Sequence, residues 1–223
     1  LIDYPGFNLK AAQYVKTHYQ IPVLYYITPK VWAWKKSRLK KIRQFVDHAA
    51  LILPFEEKLF KKHRIKCTYV GNPLMDEYPE QMAKPFSNQF RAESDNPGAP
   101  VIGLLPGSRK TEVRNLAPVL AGAAARIRER HPDACFIVSK ARSIDADFLN
   151  QCLGDFAAHP CVKIHHGELS GLFTQSDLLI AASGTVTLEA ALCCVPTIIV
   201  YKVSAISYRI ARLLVTIKYA GLA

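Results

Sequence analysis

The sequence predicts an α/β fold in which parallel β-sheets are covered by helices on both faces. Three observations carry this prediction. Short apolar runs alternate with helical patterns along most of the chain, one proline-rich interval interrupts the alternation, and two apolar runs end in small-residue turns that open helices. Half of the 223 residues are hydrophobic, which suffices for packed cores and argues against disorder.

Eight apolar runs have the length and composition of buried strands, and eight segments have helical spacing. The predicted strands are Val23–Ile27, Ala49–Leu53, Cys67–Val70, Val101–Leu105, Cys135–Val138, Val162–His165, Asp177–Ala181 and Pro196–Tyr201. The predicted helices are Asn8–Thr17, Arg38–Phe45, Glu56–His63, Glu112–Arg130, Asp145–Phe156, Gly171–Gln175, Thr187–Cys194 and Ser207–Ile217. Because helical segments separate most of the apolar runs, we expect the strands to be parallel.

The interval from Asn72 to Pro100 breaks the alternation and contains five prolines. Its last part, residues 94–100, has the composition of a linker. We therefore predict an N-terminal domain over residues 1–75, a linker over residues 76–100 and a C-terminal domain over residues 101–223. The C-terminal domain then opens with a strand, and the turn after that strand is a usual place for an anion site.

The chain is basic, with a formal net charge of +11. Six of the nine residues from Lys35 to Arg43 are cationic. Such a run fits an anionic membrane surface, a phosphorylated substrate or nucleic acid. No RNP, KH or helix-turn-helix signature accompanies it, which disfavours the RNA-binding alternative.

Cysteines and histidines give no metal signal. The six cysteines form no Cys-x-x-Cys pair, and the seven histidines lack ligand spacing. We therefore predict reduced thiols in a cytosolic protein and no metal site. The longest apolar runs, such as Thr197–Tyr201, are too short to cross a bilayer.

The turn after the strand Val101–Leu105 has the chemistry of a phosphate site. Gly107 can adopt backbone angles closed to other residues and lets a phosphate approach. Ser108 offers a hydroxyl, and Arg109 offers a planar fork for phosphate oxygens. The predicted helix that follows adds backbone N–H groups. The alternative is a plain turn with a helix cap.

A second turn, Ser183-Gly184-Thr185-Val186-Thr187-Leu188-Glu189, follows the strand Asp177–Ala181. Its hydroxyl residues suit a helix cap, and Glu189 lies in the first or second turn of that helix. A carboxylate there can accept hydrogen bonds from both ribose hydroxyls. If both turns face one crevice, they hold the diphosphate and the ribose of one nucleotide. The alternative is a capped helix whose dipole Glu189 complements.

Asp3 ends an apolar segment and precedes a Pro-Gly turn. A carboxylate at the carboxyl edge of a parallel sheet faces the ligand crevice and can act as a general base on a hydroxyl group. The alternative is an aspartate that ends the strand by accepting hydrogen bonds from turn amides.

Trp32 and Trp34 are the only tryptophans and stand beside the cationic run. With Lys35, Lys36 and Arg38, they are predicted to contact a membrane interface or a lipid chain. Core packing is the alternative for at least one of the two indoles.

Six motifs together carry a resemblance to a known family. They are Ile2-Asp3-x-Pro5-x-Phe7-Asn8, Val31-Trp32-Ala33-Trp34, Leu53-Pro54-Phe55-Glu56, Val70-Gly71-Asn72-Pro73, Leu105-Pro106-Gly107-Ser108-Arg109-x-x-Glu112-Val113 and Ser183-Gly184-Thr185-x-Thr187-Leu188-Glu189-Ala190. Over essentially all its residues, the chain resembles the lipid-A-disaccharide synthases, glycosyltransferases of the GT-B class. The resemblance implies two Rossmann-like parallel-sheet domains, the N-terminal one incomplete in this chain.

The resemblance also implies a reaction. In it, a diacylglucosamine unit passes from UDP-2,3-diacylglucosamine to the 6′-hydroxyl of 2,3-diacylglucosamine 1-phosphate (lipid X). The products are the β-1,6-linked lipid A disaccharide 1-phosphate and UDP. The enzyme would be peripheral on the inner face of the bacterial inner membrane, with no transmembrane segment, nucleic acid, metal or cofactor.

Site roles follow from the same resemblance, position by position. Asp3 is the candidate base, Arg109 with Ser108 would hold the UDP phosphates, and Glu189 would hold the ribose. Ser183, Gly184, Thr185 and Thr187 would line the nucleotide.

Some features depart from the family pattern. Gly6 stands where the family commonly has Asp, and Asn72 stands where His often occurs. The family's Gly-Glu-Ala-Ser-Gly-Asp motif does not occur in these residues, so we expect the chain to be a piece of a longer protein. The alternatives are another GT-B enzyme that uses UDP-GlcNAc, such as a 2-epimerase or a peptidoglycan transferase, and a fragment without activity of its own.

Overall fold

The computed structural model describes residues 1–32, 36–77 and 98–202. These residues belong to two compact units, an N-terminal unit (residues 1–77) and a C-terminal unit (residues 98–202). Each unit has its own parallel sheet and its own apolar core. Most of the predicted linker and the predicted helix Ser207–Ile217 lie outside the described residues, so the boundaries proposed for the domains stay a prediction.

The N-terminal unit alternates helices and strands. Its elements are α1 (Pro5–His18), β1 (Leu24–Tyr26), α2 (Arg38–Phe45), β2 (His48–Leu51), α3 (Pro54–Lys62), β3 (Cys67–Tyr69) and α4 (Leu74–Glu77). The three strands pair in parallel in the order β1-β2-β3. Ile2 forms a further parallel bridge to Tyr26, so the first residues of the chain extend along β1.

Helix α2 shows how the basic run is held on the N-terminal unit. Leu39 and Ile42 are buried in the core of this unit, whereas Lys40, Lys41 and Arg43 are exposed. Burial of each of the two aliphatic side chains contributes about 1.5–3 kcal/mol. The spacing of the apolar positions therefore fixes the helix to the unit and leaves its cations in solvent.

The C-terminal unit has a five-stranded parallel sheet. Its elements are β4 (Val101–Leu105), α5 (Lys110–Arg130), β5 (Cys135–Lys140), α6 (Ala146–Leu153), a 3-10 helix (Gly154–Ala158), β6 (Val162–His166), α7 (Leu169–Phe173), β7 (Leu178–Ala182), α8 (Val186–Leu192) and β8 (Thr197–Val200). The strand order is β6-β5-β4-β7-β8.

The order of these strands reverses at β4. The chain passes from β4 to β5 and β6 on one side and then returns to β7 on the other side. Such a reversal opens a crevice at the carboxyl ends of the two strands, which is the usual ligand position in open α/β sheets. All five residues of β4 are buried, so the crevice lies at the end of a buried central strand.

The predicted elements are confirmed for every strand and for seven of the eight helices, and the eighth helix lies outside the described residues. Helix α1 begins at Pro5 rather than Asn8, because proline fits the first helical turn. The predicted helix Asp145–Phe156 ends as an α-helix at Leu153, where Gly154 has φ 60°. In the described ranges, no helix combines the length and apolar character needed to cross a membrane.

Candidate functional site

The two predicted ligand turns lie side by side on the C-terminal unit. Strands β4 and β7 pair in parallel, with Leu105 opposite Ala181. The turn 106–109 follows β4 and the turn 183–185 follows β7. Because parallel neighbours end at the same edge of a sheet, both turns lie at the carboxyl edge, on either side of the crevice.

The first turn is folded around the carboxylate of Glu112. One carboxylate oxygen, Oε2, accepts hydrogen bonds from the backbone N–H of Ser108 at 3.1 Å and of Arg109 at 3.2 Å. The other oxygen, Oε1, accepts from Arg109 Nη1 at 2.6 Å. Arg109 is the N-cap residue of α5 and its side chain is 77% exposed. The turn thus presents a guanidinium to solvent from a backbone that Glu112 holds.

Gly107 and Ser143 complete this turn. Gly107 has φ 113°, in the region that favours glycine. A Cβ at this position would lie 2.7 Å from Glu112 Oε2, so only glycine leaves room for the carboxylate. Ser143, in the turn after β5, donates its hydroxyl hydrogen to the carbonyl oxygen of Ser108 at 2.7 Å. The turn is therefore held on its N–H side and on its carbonyl side.

The second turn is fixed from inside by Thr187. This side chain is 1% exposed, and its hydroxyl donates to the carbonyl oxygen of Gly184 at 2.8 Å. The N–H of Ser183 donates to the carbonyl oxygen of Val200 at 3.0 Å, which ties the turn to β8. Thr187 therefore shapes the turn as a buried residue. At Gly184, no described residue beyond the two chain neighbours lies within 4 Å of an added Cβ. Glu189 lies in the first turn of α8, as the sequence predicts.

Asp3 lies in a strained turn on the N-terminal unit. Asp3 has φ 43° and the following Tyr4 has φ 39°, both in the left-handed region. Each such residue costs about 1–2 kcal/mol for an L-amino acid. Buried side chains hold the strained backbone: Asn8 Nδ2 and the Tyr25 hydroxyl donate to the Asp3 carbonyl oxygen at 2.7 and 2.8 Å. The side chain of Asp3 is exposed at the end of its segment.

Ionisable groups surround this turn. Burial, assisted by the negative charge of Asp3, raises the pKa of Tyr25 to about 12, against the opposing charge of Arg38. Burial lowers the pKa of Lys30, and the carboxylates of Asp3 and Glu56 oppose that shift. The phenol therefore stays neutral and donates to the Asp3 backbone at physiological pH.

Trp32 has a partner inside the N-terminal unit. Its indole N–H donates to Glu56 Oε1 at 3.0 Å, and its ring meets Phe55 edge to face at 5.2 Å between centroids. Glu56 is 2% exposed, and burial raises its pKa, although the hydrogen bonds from Trp32 and the Leu53 N–H oppose the shift. Trp32 is half-buried, as the core-packing alternative expects for one indole.

The remaining predicted lipid contacts lie at the start of α2. Lys36 is exposed and Arg38 is half-buried. Trp34 and Lys35 lie outside the described residues. The membrane contact of all five side chains stays a prediction.

All six cysteines are free thiols. Burial raises the pKa of Cys67, Cys135, Cys161 and Cys193, which makes thiolates scarce at these positions. Within residues 1–32, 36–77 and 98–202, no three His, Cys, Asp or Glu side chains form a cluster that could hold a metal ion.

Comparison with known proteins assigns the family. The family model described as lipid-A-disaccharide synthetase matches residues 1–223. The chain belongs to the lipid-A-disaccharide synthetase family. The resemblance noted in the sequence motifs is therefore confirmed.

Two curated family members have similar sequences along the whole chain. The lipid-A-disaccharide synthase of Syntrophus aciditrophicus (strain SB) is 39% identical over 222 residues, which cover 100% of this chain and 57% of that protein. The lipid-A-disaccharide synthase of Coxiella burnetii (strain Dugway 5J108-111) is 36% identical over 222 residues, with coverages of 99% and 57%. The chain thus spans 57% of the length of these relatives.

A solved structure confirms the fold class. The UDP-GlcNAc 2-epimerase of Methanocaldococcus jannaschii superposes with a TM-score of 0.56 at 17% identity, covering 86% of this chain and 57% of that one. At this identity the likeness concerns the fold alone. The predicted α/β fold with Rossmann-like parallel sheets is confirmed.

Proposed function

We propose that the complete protein is an inverting glycosyltransferase of lipid A biosynthesis. It joins UDP-2,3-diacylglucosamine to 2,3-diacylglucosamine 1-phosphate and releases UDP. The family match over residues 1–223 supports the reaction class. The observation that carries the assignment of the donor site is the parallel pairing of β4 with β7, which brings the two ligand turns to one crevice.

The donor nucleotide is bound by both turns. The exposed guanidinium of Arg109 pairs with the diphosphate, with Ser108 and the N-terminus of α5 nearby. Glu189 accepts hydrogen bonds from the ribose hydroxyls. The open space at Gly184 lets the nucleotide approach the backbone between Ser183 and Thr185.

Asp3 is the proposed general base. Its carboxylate takes the proton of the acceptor 6′-hydroxyl while that oxygen bonds to the anomeric carbon. The bond from this carbon to the UDP oxygen breaks, and UDP leaves with the electron pair. Arg109 stabilises the charge that develops on the diphosphate, so no metal or cofactor enters the proposal. Attack from the face opposite UDP inverts the anomeric centre.

The acylated substrates require contact with a lipid surface. The exposed cations of α2 and Lys36 suit the anionic cytoplasmic face of a bilayer. The other residues proposed for this contact are their neighbours in the sequence: Trp32, Trp34, Lys35 and Arg38. We place the protein as a peripheral enzyme on the inner face of the bacterial inner membrane.

Titration of the complete protein with UDP tests the donor site. Arg109→Ala should weaken UDP binding at least about tenfold, because a charge-assisted phosphate contact is lost. Arg130→Ala is the matched control, because Arg130 is the last residue of the same helix. Equal UDP affinity of the parent and Arg109→Ala in calorimetry would remove the phosphate role.

A transfer assay tests the base and the reaction. Asp3→Asn should keep UDP affinity and lower turnover by about a hundredfold or more. The labelled product should be an acylated disaccharide phosphate. An epimerised UDP-sugar, or transfer to a peptide-bearing acceptor, would favour the UDP-GlcNAc alternatives instead, and parental turnover in Asp3→Asn would exclude Asp3 as the base.

A further inference from the structure

We infer that Glu112 is a positioning residue that holds the Arg109 guanidinium in the orientation in which it binds the donor diphosphate. This inference rests on the proposed donor site and assigns a role to a side chain that the motif contains but the proposed chemistry does not use. Glu112 acts through Arg109 and the turn backbone, without touching the nucleotide.

The anchoring of Glu112 is the first observation. Its Oε2 accepts two backbone N–H groups, from Ser108 and Arg109, at 3.1 and 3.2 Å. A carboxylate with two backbone donors is fixed in place before it meets a cation. Its other oxygen is then a fixed acceptor, and Arg109 Nη1 lies 2.6 Å from it.

The enclosure of the carboxylate is the second observation. Gly107 leaves its Cβ position empty where a side chain would meet Glu112 Oε2 at 2.7 Å and Glu112 Cβ at 2.8 Å. On the other side of the turn, the Ser143 hydroxyl holds the Ser108 carbonyl. The side chain of Glu112 is only 29% exposed although its partner is 77% exposed. The carboxylate of Glu112 is part of the folded turn, and the exposed guanidinium of Arg109 is the group that it orients.

The exposure of Arg109 decides between a stabilising and an orienting role. An ion pair with so exposed a cation is screened by solvent and contributes little to folding. An unpaired arginine at this position would sample many rotamers, and binding an anion would have to order them. A guanidinium has five N–H donors, so pairing of Nη1 with Glu112 leaves others for phosphate oxygens. Glu112 therefore lowers the entropic cost of diphosphate binding.

A double-mutant cycle with UDP tests this role in the complete protein. In Glu112→Gln, the side-chain amide oxygen can still accept the two backbone N–H groups, but its NH₂ group meets Arg109 as a second donor. UDP affinity should fall about fivefold, since one side chain must then be ordered on binding. In an Arg109→Ala background, Glu112→Gln should cause no further loss, because nothing remains to position.

Controls separate positioning from a structural effect. Ser143→Ala removes a hydrogen bond of the same turn without touching the Arg109 side chain, and its UDP affinity should fall less than that of Glu112→Gln. The thermal midpoint of Glu112→Gln should stay close to that of the parent. An equal loss of UDP affinity from Glu112→Gln with and without Arg109 would overturn the inference in favour of a general effect on the turn.

Three further outcomes are informative. Tighter UDP binding by Glu112→Gln would overturn the inference, because it would make the carboxylate a competitor of the diphosphate. Failure of the complete parent protein to bind UDP would overturn the proposed donor site itself. Unchanged affinity in Glu112→Gln beside a loss in Arg109→Ala would overturn only the role of Glu112.

Discussion

Replacing Gly107 by alanine should destabilise the C-terminal unit by about 3 kcal/mol. Gly107 has φ 113°, and holding an alanine in such a backbone conformation costs about 1–3 kcal/mol. The new Cβ would lie 2.7 Å from Glu112 Oε2 and 2.8 Å from Glu112 Cβ, and overpacking of this kind costs about 1–3 kcal/mol. The reduced freedom of the unfolded chain returns about 0.4–1 kcal/mol.

Gly184 provides the matched control in the neighbouring turn. Its φ is not positive, and among residues 1–32, 36–77 and 98–202 no atom beyond its two chain neighbours lies within 4 Å of an added Cβ. The free energy of unfolding of Gly184→Ala should therefore stay within about 0.5 kcal/mol of the parent value. Because Gly184 is proposed to line the nucleotide, this variant can lose UDP affinity while it keeps its stability.

Urea unfolding followed by circular dichroism measures the difference. With a slope of about 2–3 kcal/mol per molar, a loss of about 3 kcal/mol lowers the urea midpoint by about 1 M. UDP affinity of Gly107→Ala should fall as well, because Glu112 must rotate away and release Arg109. A midpoint for Gly107→Ala equal to that of Gly184→Ala would refute the reasoning about the enclosed carboxylate.

Two predictions concern the N-terminal unit. Asn8→Ala should lower the free energy of unfolding by about 2 kcal/mol, because the Asn8 amide donates to the carbonyl oxygens of Ile2 and Asp3 at 2.8 and 2.7 Å. Turnover should change by a larger factor than the KM for the donor, because the substitution acts on the backbone of Asp3. A turnover equal to that of the parent would exclude a role of the Asn8 hydrogen bonds in positioning Asp3. Burial raises the pKa of Glu56 above its ordinary 4.5, so the folded chain holds this proton more tightly than the unfolded chain. The resulting stabilisation is present below pH 4.5 and is lost as pH rises through the raised pKa. The urea midpoint of the parent should therefore fall, relative to that of Glu56→Gln, as the pH rises above 4.5, and parallel curves of the two proteins would exclude this assignment.

Local patterns were sufficient to predict most elements. The strand Val101–Leu105 and the helix Arg38–Phe45 have the predicted bounds, because each has a clear apolar spacing and polar neighbours that end it. The position of Glu189 in the first helical turn follows from the helix start at Val186, one residue before the predicted start at Thr187, although the hydroxyl of the N-cap residue Thr185 makes no capping hydrogen bond. These features depend on residues a few positions apart, which a single sequence displays.

Pairings over long distances in the chain could not be predicted in this way. The neighbourhood of β4 and β7 depends on the strand order of the whole sheet, which periodicity does not encode. The sequence neighbours of Trp32 predict a lipid contact beside the cationic run, whereas the structure shows that its indole N–H donates to Glu56, 24 residues later. The sequence predicts that Thr187 lines the nucleotide, and this stays a prediction, whereas the structure adds that its hydroxyl is buried and donates to the Gly184 carbonyl oxygen. The partner of Trp32 lies far along the chain, and the burial of Thr187 depends on how the C-terminal unit packs around α8, so neighbouring residues display neither.

The sequence shows Glu112 as part of the motif that contains Arg109, but it does not predict the hydrogen bonds of Glu112 to that residue, because arginine is not a residue type preferred at an N-cap position. The turn at Asp3 shares one feature with the turn at Arg109. In both places buried or enclosed polar groups hold a backbone in an unusual conformation, and the side chain with the proposed chemistry is exposed. The hydrogen bonds that hold each backbone come from side chains other than Arg109 and Asp3. Arg109→Ala and Asp3→Asn therefore remove the proposed functional group without removing these hydrogen bonds. Both variants should therefore unfold near the parent midpoint, whereas Gly107→Ala and Asn8→Ala should not. This separation is what allows the loss of UDP affinity or turnover in the first pair to be attributed to the missing functional group.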